Sequence, residues 1–422
     1  MAEKLRLGIV GCGGMGHRHL SGLAELQRAG LSPFELVGAC DPNLENARSL
    51  AAEAEELLGQ APQAVGSMEE LEKIGGIRAV DVCTLPNVHH TVSVEGMERG
   101  WDILCEKPMG LTARACKRMR EGVAKTGRVL SVAENYRRDP INRLARALLD
   151  AGVIGDRRLM LHQTIGGGDQ MLISVWRHQK NAAGLLLDVG VHFADIMEFF
   201  MGDAATVYAQ TRLHERVRKN PMAGKGAEDR SPAGVYGRWQ KEMPAEFEAT
   251  AEDAGYATVV FESGAVCQYV EDHAARGQGG WKRAIYGSKG SMDLPGDRSG
   301  RRLTLFLEGK ESIDDERLLE MVPDFHLDEG TAALFGGERM CEYEFPFPET
   351  DRKLLAVEYW EFGTAIEQGR RPEVDVEQGA RSVAICYAWT ESQVAGRVVS
   401  VEEVLEDRVS TYQEEINAEM GL

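Results

Sequence analysis

This chain is poor in three things, and each shortage excludes a class of function. Its eight cysteines (Cys12, Cys40, Cys83, Cys105, Cys116, Cys267, Cys341 and Cys386) form no CxxC pair. A zinc site therefore has no support, and no metal is expected. The thiols sit mostly in apolar, strand-like runs and read as buried and free in a reducing compartment. No uninterrupted apolar stretch is long enough to span a bilayer. Basic residues are outnumbered, 48 Lys and Arg against 67 Asp and Glu, for a formal charge of −19. Nucleic acid, which needs a basic face, is excluded as a partner. Anionic membranes are disfavoured for the same reason. Lys4 and Arg6 precede a short apolar run without a small-residue cleavage pattern after it. A buried first strand explains that run better than a leader, and a cytoplasmic location is expected. What remains is a globular composition, 43% apolar and 27% charged, over 422 residues. That length suits two domains.

Glycine, in contrast, is concentrated where it matters. The apolar run "LRLGIVG" is followed by Gly11, Gly13 and Gly16 in the order G-x-G-x-x-G, with Gly14 and Met15 between the last two. A helical pattern follows, with Leu20, Leu23 and Leu26 on one face and Gly30 as its stop. A second apolar run, "FELVGAC", ends at Asp41. Strand, glycine loop, helix, strand and acid make up a dinucleotide-binding unit. Gly11 permits the turn, Gly13 lets backbone approach a pyrophosphate, and Gly16 lets helix and strand pack closely. A carboxylate at Asp41 accepts hydrogen bonds from ribose hydroxyls and repels a 2′-phosphate. NAD is therefore expected over NADP.

Strand and helix patterns keep alternating as far as "RVLSVAENYR". This predicts an α/β fold, a doubly wound parallel sheet of the Rossmann type over residues 1–135. Ligands of such sheets lie beyond the carboxyl ends of the strands. Asn87, His90, Glu106, Lys107, Glu134 and Tyr136 join Asp41 there as candidates. Residues 136–422 change character. Alternating runs such as "YATVVFESGAVCQYVED" outnumber helices and predict an α+β domain with a large, mostly antiparallel open sheet. A polar insertion at about 213–250 is rich in Gly, Pro and charge and reads as a long loop. It is a lid, an oligomer arm or a solvated excursion. The runs "LAVEYWEFGTAIEQG" and "QGARSVAICYAWTES" predict helices packed between the domains.

Asp188 and His192 stand four apart at a predicted helix start, so they share a face. Histidine suits the removal of a hydroxyl proton near neutral pH, and a nearby carboxylate orients it. Asp195 competes with Asp188 for that place. A lysine after a strand, Lys107, stabilises developing alkoxide charge. "SVWRH" offers Trp176 to stack on a sugar face and Arg177 to bind hydroxyls or an acid. His17 and His19 open the first helix as capping or surface residues, and Cys12 carries no redox role.

"CEKPMGLT", ending a strand after the glycine-loop unit, resembles the glucose-fructose oxidoreductase and inositol dehydrogenase family (Gfo/Idh/MocA). "LPNVHH", "AENYRRDP" and "AGLLLDVGVHFADIMEFFMG" are similar to its further motifs in the same order. The resemblance implies cofactor binding by Asn87 and His90, with His90 preferred over His89, while Glu106 holds the strand end or reaches the nicotinamide ribose of the cofactor. It implies catalysis by Lys107, Asp188 and His192, with Tyr136, Trp176 and Arg177 near the substrate. It further implies oxidation of a CH–OH group on a sugar, sugar derivative or cyclitol, and a homodimer or homotetramer formed through the C-terminal sheet. A redox-neutral NAD-dependent glycosidase or lyase and a non-catalytic NAD-binding sensor are the alternatives. One departure is that Ala183-Gly184-Leu185 replaces a usual triple glycine. The insertion near 213–250 is the other.

Overall fold

The computed structural model describes residues 4–224 and 236–422. Six parallel strands form the first sheet: β1 (Leu5–Val10), β2 (Phe34–Cys40), β3 (Gln63–Val65), β4 (Ala79–Val82), β5 (Asp102–Glu106) and β6 (Leu130–Ala133), in the order β3-β2-β1-β4-β5-β6. β4, β5 and β6 are buried along their whole length, as strands covered by helices on both faces must be. Helices α1 (Gly14–Arg28), α2 (Leu44–Leu58), α3 (Met68–Lys73), α4 (His89–Glu98) and α5 (Ala113–Thr126) provide the crossovers. The Asn43 side chain caps α2 by accepting from the Glu45 N–H, and Thr112 caps α5 by accepting from Ala115. The order reverses between β1 and β4. The crevice at that point, beyond the strand ends, is where such sheets bind ligands.

A short helix, α6 (Pro140–Asp150), leads into the second sheet. Its eight strands run β15-β14-β13-β7-β12-β11-β8-β16. They are β7 (Arg157–Gly167), β8 (Ala204–Arg212), β11 (Ala254–Phe261), β12 (Val266–Ala275), β13 (Gly280–Gly287), β14 (Gly290–Leu294), β15 (Thr304–Leu307) and β16 (Val399–Ser400). Every pairing is antiparallel except β7 with β12. Between β7 and β8 lie α7 (Leu185–Asp188) and α8 (Gly190–Met201).

The polar insertion is more ordered than a loop. β9 (Val217–Lys219) and β10 (Glu246–Glu248) pair as an antiparallel ribbon, and Gly237–Gln240 form a helical turn. Arg218 accounts for the ribbon. Fully buried, it donates to Gly168 O (2.7 Å), His273 O (3.1 Å) and Asp253 Oδ2 (2.7 Å), which ties the segment to the large sheet. Residues 225–235 of the insertion lie outside the described residues.

The helices Phe347–Gln368 and Val376–Ala395 join the two sheets. The first lies on α1, where Leu355 occupies the space a side chain at Gly22 would need. The second carries Gly379 against Val132 and Met109 of the first sheet's layer, and Trp389 against Gly190 of α8. All eight cysteines are buried and free. Among the described residues no helix is long and apolar enough to cross a membrane.

Candidate active site

The glycine loop follows β1 directly. Gly11 has φ +95°, and a Cβ there would stand 2.6–2.8 Å from the Cys83 and Thr84 backbone. Gly16 packs on the Gly11 carbonyl with no room for a side chain. Gly13 faces open space. No side chain caps α1, so the N–H donors of its first turn, at Gly14, Met15 and Gly16, are left for an anion. Asp41, just past β2, receives the Cys12 N–H (2.9 Å) and the Asn43 N–H (2.8 Å). At the end of β4, Thr84 Oγ1 and Asn87 Oδ1 are buried with no hydrogen-bond partner. A bare helix start, an acid at the second strand end and orphan oxygens at the switch point fit a bound dinucleotide. The insertion reaches this loop: the Tyr236 ring covers Gly14 and its hydroxyl meets Met15 Sδ.

Across the crevice, α7 and α8 bring up the second group. Lys107 follows β5, and its ammonium donates to the Asp188 carbonyl (2.8 Å) and to Asp188 Oδ1 (3.1 Å). The other Asp188 oxygen accepts from Arg177 Nε (2.8 Å). Burial pushes the Asp188 carboxyl up, but Arg177 and Lys107 outweigh it and hold the group well below the usual carboxylate range. Trp176 lies under the Arg177 guanidinium, 4.2 Å from ring centroid to Cζ. His192 Nδ1 stands 2.7 and 2.9 Å from the two oxygens of Glu134. Its ring stacks on Tyr136 at 4.3 Å. Burial raises the Glu134 carboxyl, while His192, the Tyr136 N–H and Lys107 lower it further, leaving it below its ordinary value. With Nδ1 engaged, Nε2 is the nitrogen left for the cleft. Glu106, Lys107, Tyr136, Trp176, Arg177, Asp188 and His192 line that one cleft.

Residues 5–134 match the model of an oxidoreductase family with an NAD-binding Rossmann fold, and residues 146–401 match that family's C-terminal alpha/beta domain. The chain belongs to the Gfo/Idh/MocA oxidoreductases. It is an NAD-binding dehydrogenase of that family. It is 27% identical over 301 residues to levoglucosan dehydrogenase of Pseudarthrobacter phenanthrenivorans, covering 69% of this chain and 73% of the relative. It is 28% identical over 222 residues to scyllo-inositol 2-dehydrogenase (NAD(+)) of Bacillus subtilis, covering 53% of this chain and 60% of the relative. The fold of a levoglucosan dehydrogenase solved with NADH and L-sorbose superposes with TM-score 0.73 at 22% identity, over 96% of this chain and 100% of that one.

Within this Gfo/Idh/MocA site several expectations are corrected. Asp188 is not the carboxylate beside His192, because Lys107 and Arg177 take both of its oxygens. Glu134, one of the strand-end candidates, takes that place. Asp195 is withdrawn by a two-point contact with Arg137 (2.8 and 2.6 Å). His90 does not reach the cleft. It sits in a groove between α4 and α5 beside Arg118, and burial and that guanidinium lower its pKa. Its neighbour His89 faces the strand ends instead, between the carbonyls of Pro108 (2.9 Å) and Thr84 (3.0 Å). Adjacent helical residues point about 100° apart, so only one of the two can face the sheet. His17 and His19 are buried, not surface residues. His19 bridges Asp81 (2.9 Å) and Glu106 (3.0 Å), and Tyr359 also bonds Asp81. Glu106 therefore braces the strand end. In the glycine-poor loop, Ala183 and Leu185 turn into the core while Gly184 keeps φ +80°. The substituted side chains thus stay out of the cleft.

Arg18, Thr84, Ile173 and Arg298 line the cleft without having stood out in the sequence. Arg18, in the first two turns of α1, was accessible from its place just after the glycine motif. Arg298 comes from a loop with no motif at all.

Proposed function

We propose that this dehydrogenase oxidises a CH–OH group of a sugar, sugar derivative or cyclitol, with His192 as the base. The observation that carries the reading is the His192 ring, held at Nδ1 by Glu134 in the same cleft as the Lys107 ammonium. Bound NAD supplies the hydride acceptor. His192 Nε2 takes the hydroxyl proton as the carbon loses hydride. Glu134 stabilises the imidazolium that forms. Lysine has three donors, and Lys107 spends two on Asp188. The third is available to the reacting oxygen, where it stabilises alkoxide character. Asp188 and Arg177 hold the ammonium in place.

NAD is the preferred cofactor in this reading, because a carboxylate at the end of the second strand, Asp41, would repel a 2′-phosphate. Asn87 and Thr84 offer their unpartnered oxygens to the same cofactor. The outer face of the large sheet is proposed as the contact with a second copy of the chain.

The test is to saturate the protein with NAD, and separately NADP, and add a panel of sugars, cyclitols and glycosides. NADH growth on one polyol, with a higher kcat/KM for NAD, is the expected result. Aglycone release without net NADH establishes a redox-neutral glycosidase instead. Tight NAD binding with neither signal supports a sensor. In His192→Ala turnover should fall roughly 100- to 10,000-fold with little change in NAD affinity. An equal loss of both would remove His192 as the base.

A further inference from the structure

Four cations line the cleft, Arg18, Lys107, Arg177 and Arg298, in a chain of formal charge −19. They are neutralised in an uneven way. Asp188 serves both Lys107 (3.1 Å) and Arg177 (2.8 Å). Asp351 serves both Arg18 (Nε–Oδ2 2.6 Å) and Arg298 (Nη1–Oδ1 3.0 Å). Glu106, the other acid lining the cleft, shares His19 (3.0 Å) with Asp81 and also acts on Lys107 and Arg18, so these four cations face three carboxylates and one positive charge is left over.

Arg298 is the built feature. Its backbone is left-handed, φ +60°, as is that of Ile173 in the same cleft, φ +59°. The only other non-glycine residue with positive φ among those described is Asp407. Such strain in a non-glycine backbone persists only where surrounding contacts impose it, and it collects at ligand sites. The contacts here are the Arg298 N–H to Asp139 Oδ2 (2.9 Å), the Asp351 bridge, and the rings of Tyr136 and Phe347, 5.2 and 4.8 Å from Cζ. Tyr136 is the ring stacked on His192. The guanidinium is therefore one aromatic ring away from the base, and its Nε is buried without an acceptor. Arg18 stands instead on α1, 3.8 Å from Met15 Sδ, on the glycine-loop side.

We propose that the cleft takes a polyhydroxylated substrate bearing an anionic group, a carboxylate or a phosphate, and that Arg298 is the residue that selects it. This rests on the dehydrogenase reading above. Arg298 binds the anion on the substrate side, while Lys107 and His192 act at the carbinol. A guanidinium already ordered by Asp351 and two rings gives its remaining N–H donors to a planar or tetrahedral anion without further loss of side-chain freedom.

The test is calorimetric binding to the full chain saturated with NADH, with matched ligands: D-glucose, D-glucuronate and D-glucose 6-phosphate, then myo-inositol and its monophosphate. Charged members should bind at least roughly tenfold more tightly than neutral ones, and the two acid types show which anion is read. Arg298→Gln should lose roughly 10- to 100-fold for the charged ligand alone, the range for a hydrogen bond to a charged group, with NADH affinity unchanged. Arg298→Lys should restore part of the loss. Neutral ligands binding as well as charged ones in the unmodified protein, no charged ligand binding, or a loss confined to NADH would each overturn the proposal. Turnover is followed on the same panel. Oxidation of neutral polyols alone leaves the dehydrogenase reading intact and removes the anion. Arg298-dependent anion binding without any oxidation does the reverse.

Discussion

Glu134 decides which nitrogen of His192 is left for the cleft, because a ring bonded at Nδ1 presents only Nε2. In Glu134→Gln the ring keeps a hydrogen-bond partner but loses the charge that stabilises its protonated form. We expect kcat to fall about 10- to 100-fold, within the range for acid–base assistance, with NAD affinity unchanged in a fluorescence titration. A change in NAD affinity alone would return Glu134 to the cofactor. A second buried acid makes a different prediction. Glu358 is buried, and neither of its oxygens has a hydrogen-bond partner. Burial raises it from 4.5 to about 8, against the pull of His19 and Arg138. The folded chain therefore keeps this proton between those values while the unfolded chain releases it. Stability contributed by the neutral carboxyl is complete below pH 4.5 and declines as pH rises towards 8. By pH 7 the decline is about 3 kcal/mol. Glu358→Gln cannot ionise, so its stability relative to the unmodified chain should rise by that amount from pH 4.5 to pH 7 in urea melts. A constant difference between the two chains would refute the assignment.

The glycine loop separates folding from binding position by position. At Gly11 both the φ of +95° and the Cys83 and Thr84 backbone at 2.6–2.8 Å oppose a side chain. At Gly13 nothing lies within 4 Å of an added Cβ. Gly11→Ala should therefore lower the Tm by several degrees. Gly13→Ala should leave it unchanged while raising the NAD Kd about tenfold, 1.4 kcal/mol, because the methyl stands where the phosphates approach. Equal NAD affinity in Gly13→Ala would place the pyrophosphate elsewhere. The same element shows why the insertion resisted reading. Its anchors, among them the buried Arg218, the Tyr236 ring and Gln240 on the Ile173 carbonyl, meet partners remote in the chain.

At the scale of the molecule, the large sheet has two unlike faces. Strand register places Tyr208, Tyr256, Leu161, Tyr286 and Phe306 on its outer side. Tyr208, Tyr286 and Phe306 are 48%, 38% and 45% exposed. The inner side, with Val207, Tyr269 and Ile285, is buried against helices. These rings stand among Gln210, Thr258, Gln268 and Lys282 on the same face, and several exposed aromatic side chains on one sheet face suit contact with a second copy of the chain. Light scattering should show a dimer or tetramer, and Tyr208→Glu with Tyr286→Glu should shift it towards monomer with the fold retained. A monomeric unmodified chain would end this expectation.

Much of this was legible along the chain. The glycine loop, Asp41 and the strand-end positions of Lys107 and Glu134 follow from hydrophobic period and from order, which are local properties. A strand that must be buried on both faces announces itself, and the residue after it falls at the sheet's carboxyl edge whatever the rest of the protein does. The pairings within the cleft were not legible. Glu134 meets His192 across 58 positions, Lys107 meets Asp188 across 81, and Arg18 meets Asp351 across 333. Helical spacing brought Asp188 and His192 onto neighbouring turns, yet could not say which cation or imidazole would claim each carboxylate. That choice depends on where the second sheet sets α7 and α8 against the first, and on buried charges finding partners at the least cost in desolvation. The chain's own order thus determined the binding loop and the family of chemistry. Tertiary packing alone decided which acid meets His192 and which arginines line the cleft, because those contacts exist only once both sheets share one cleft.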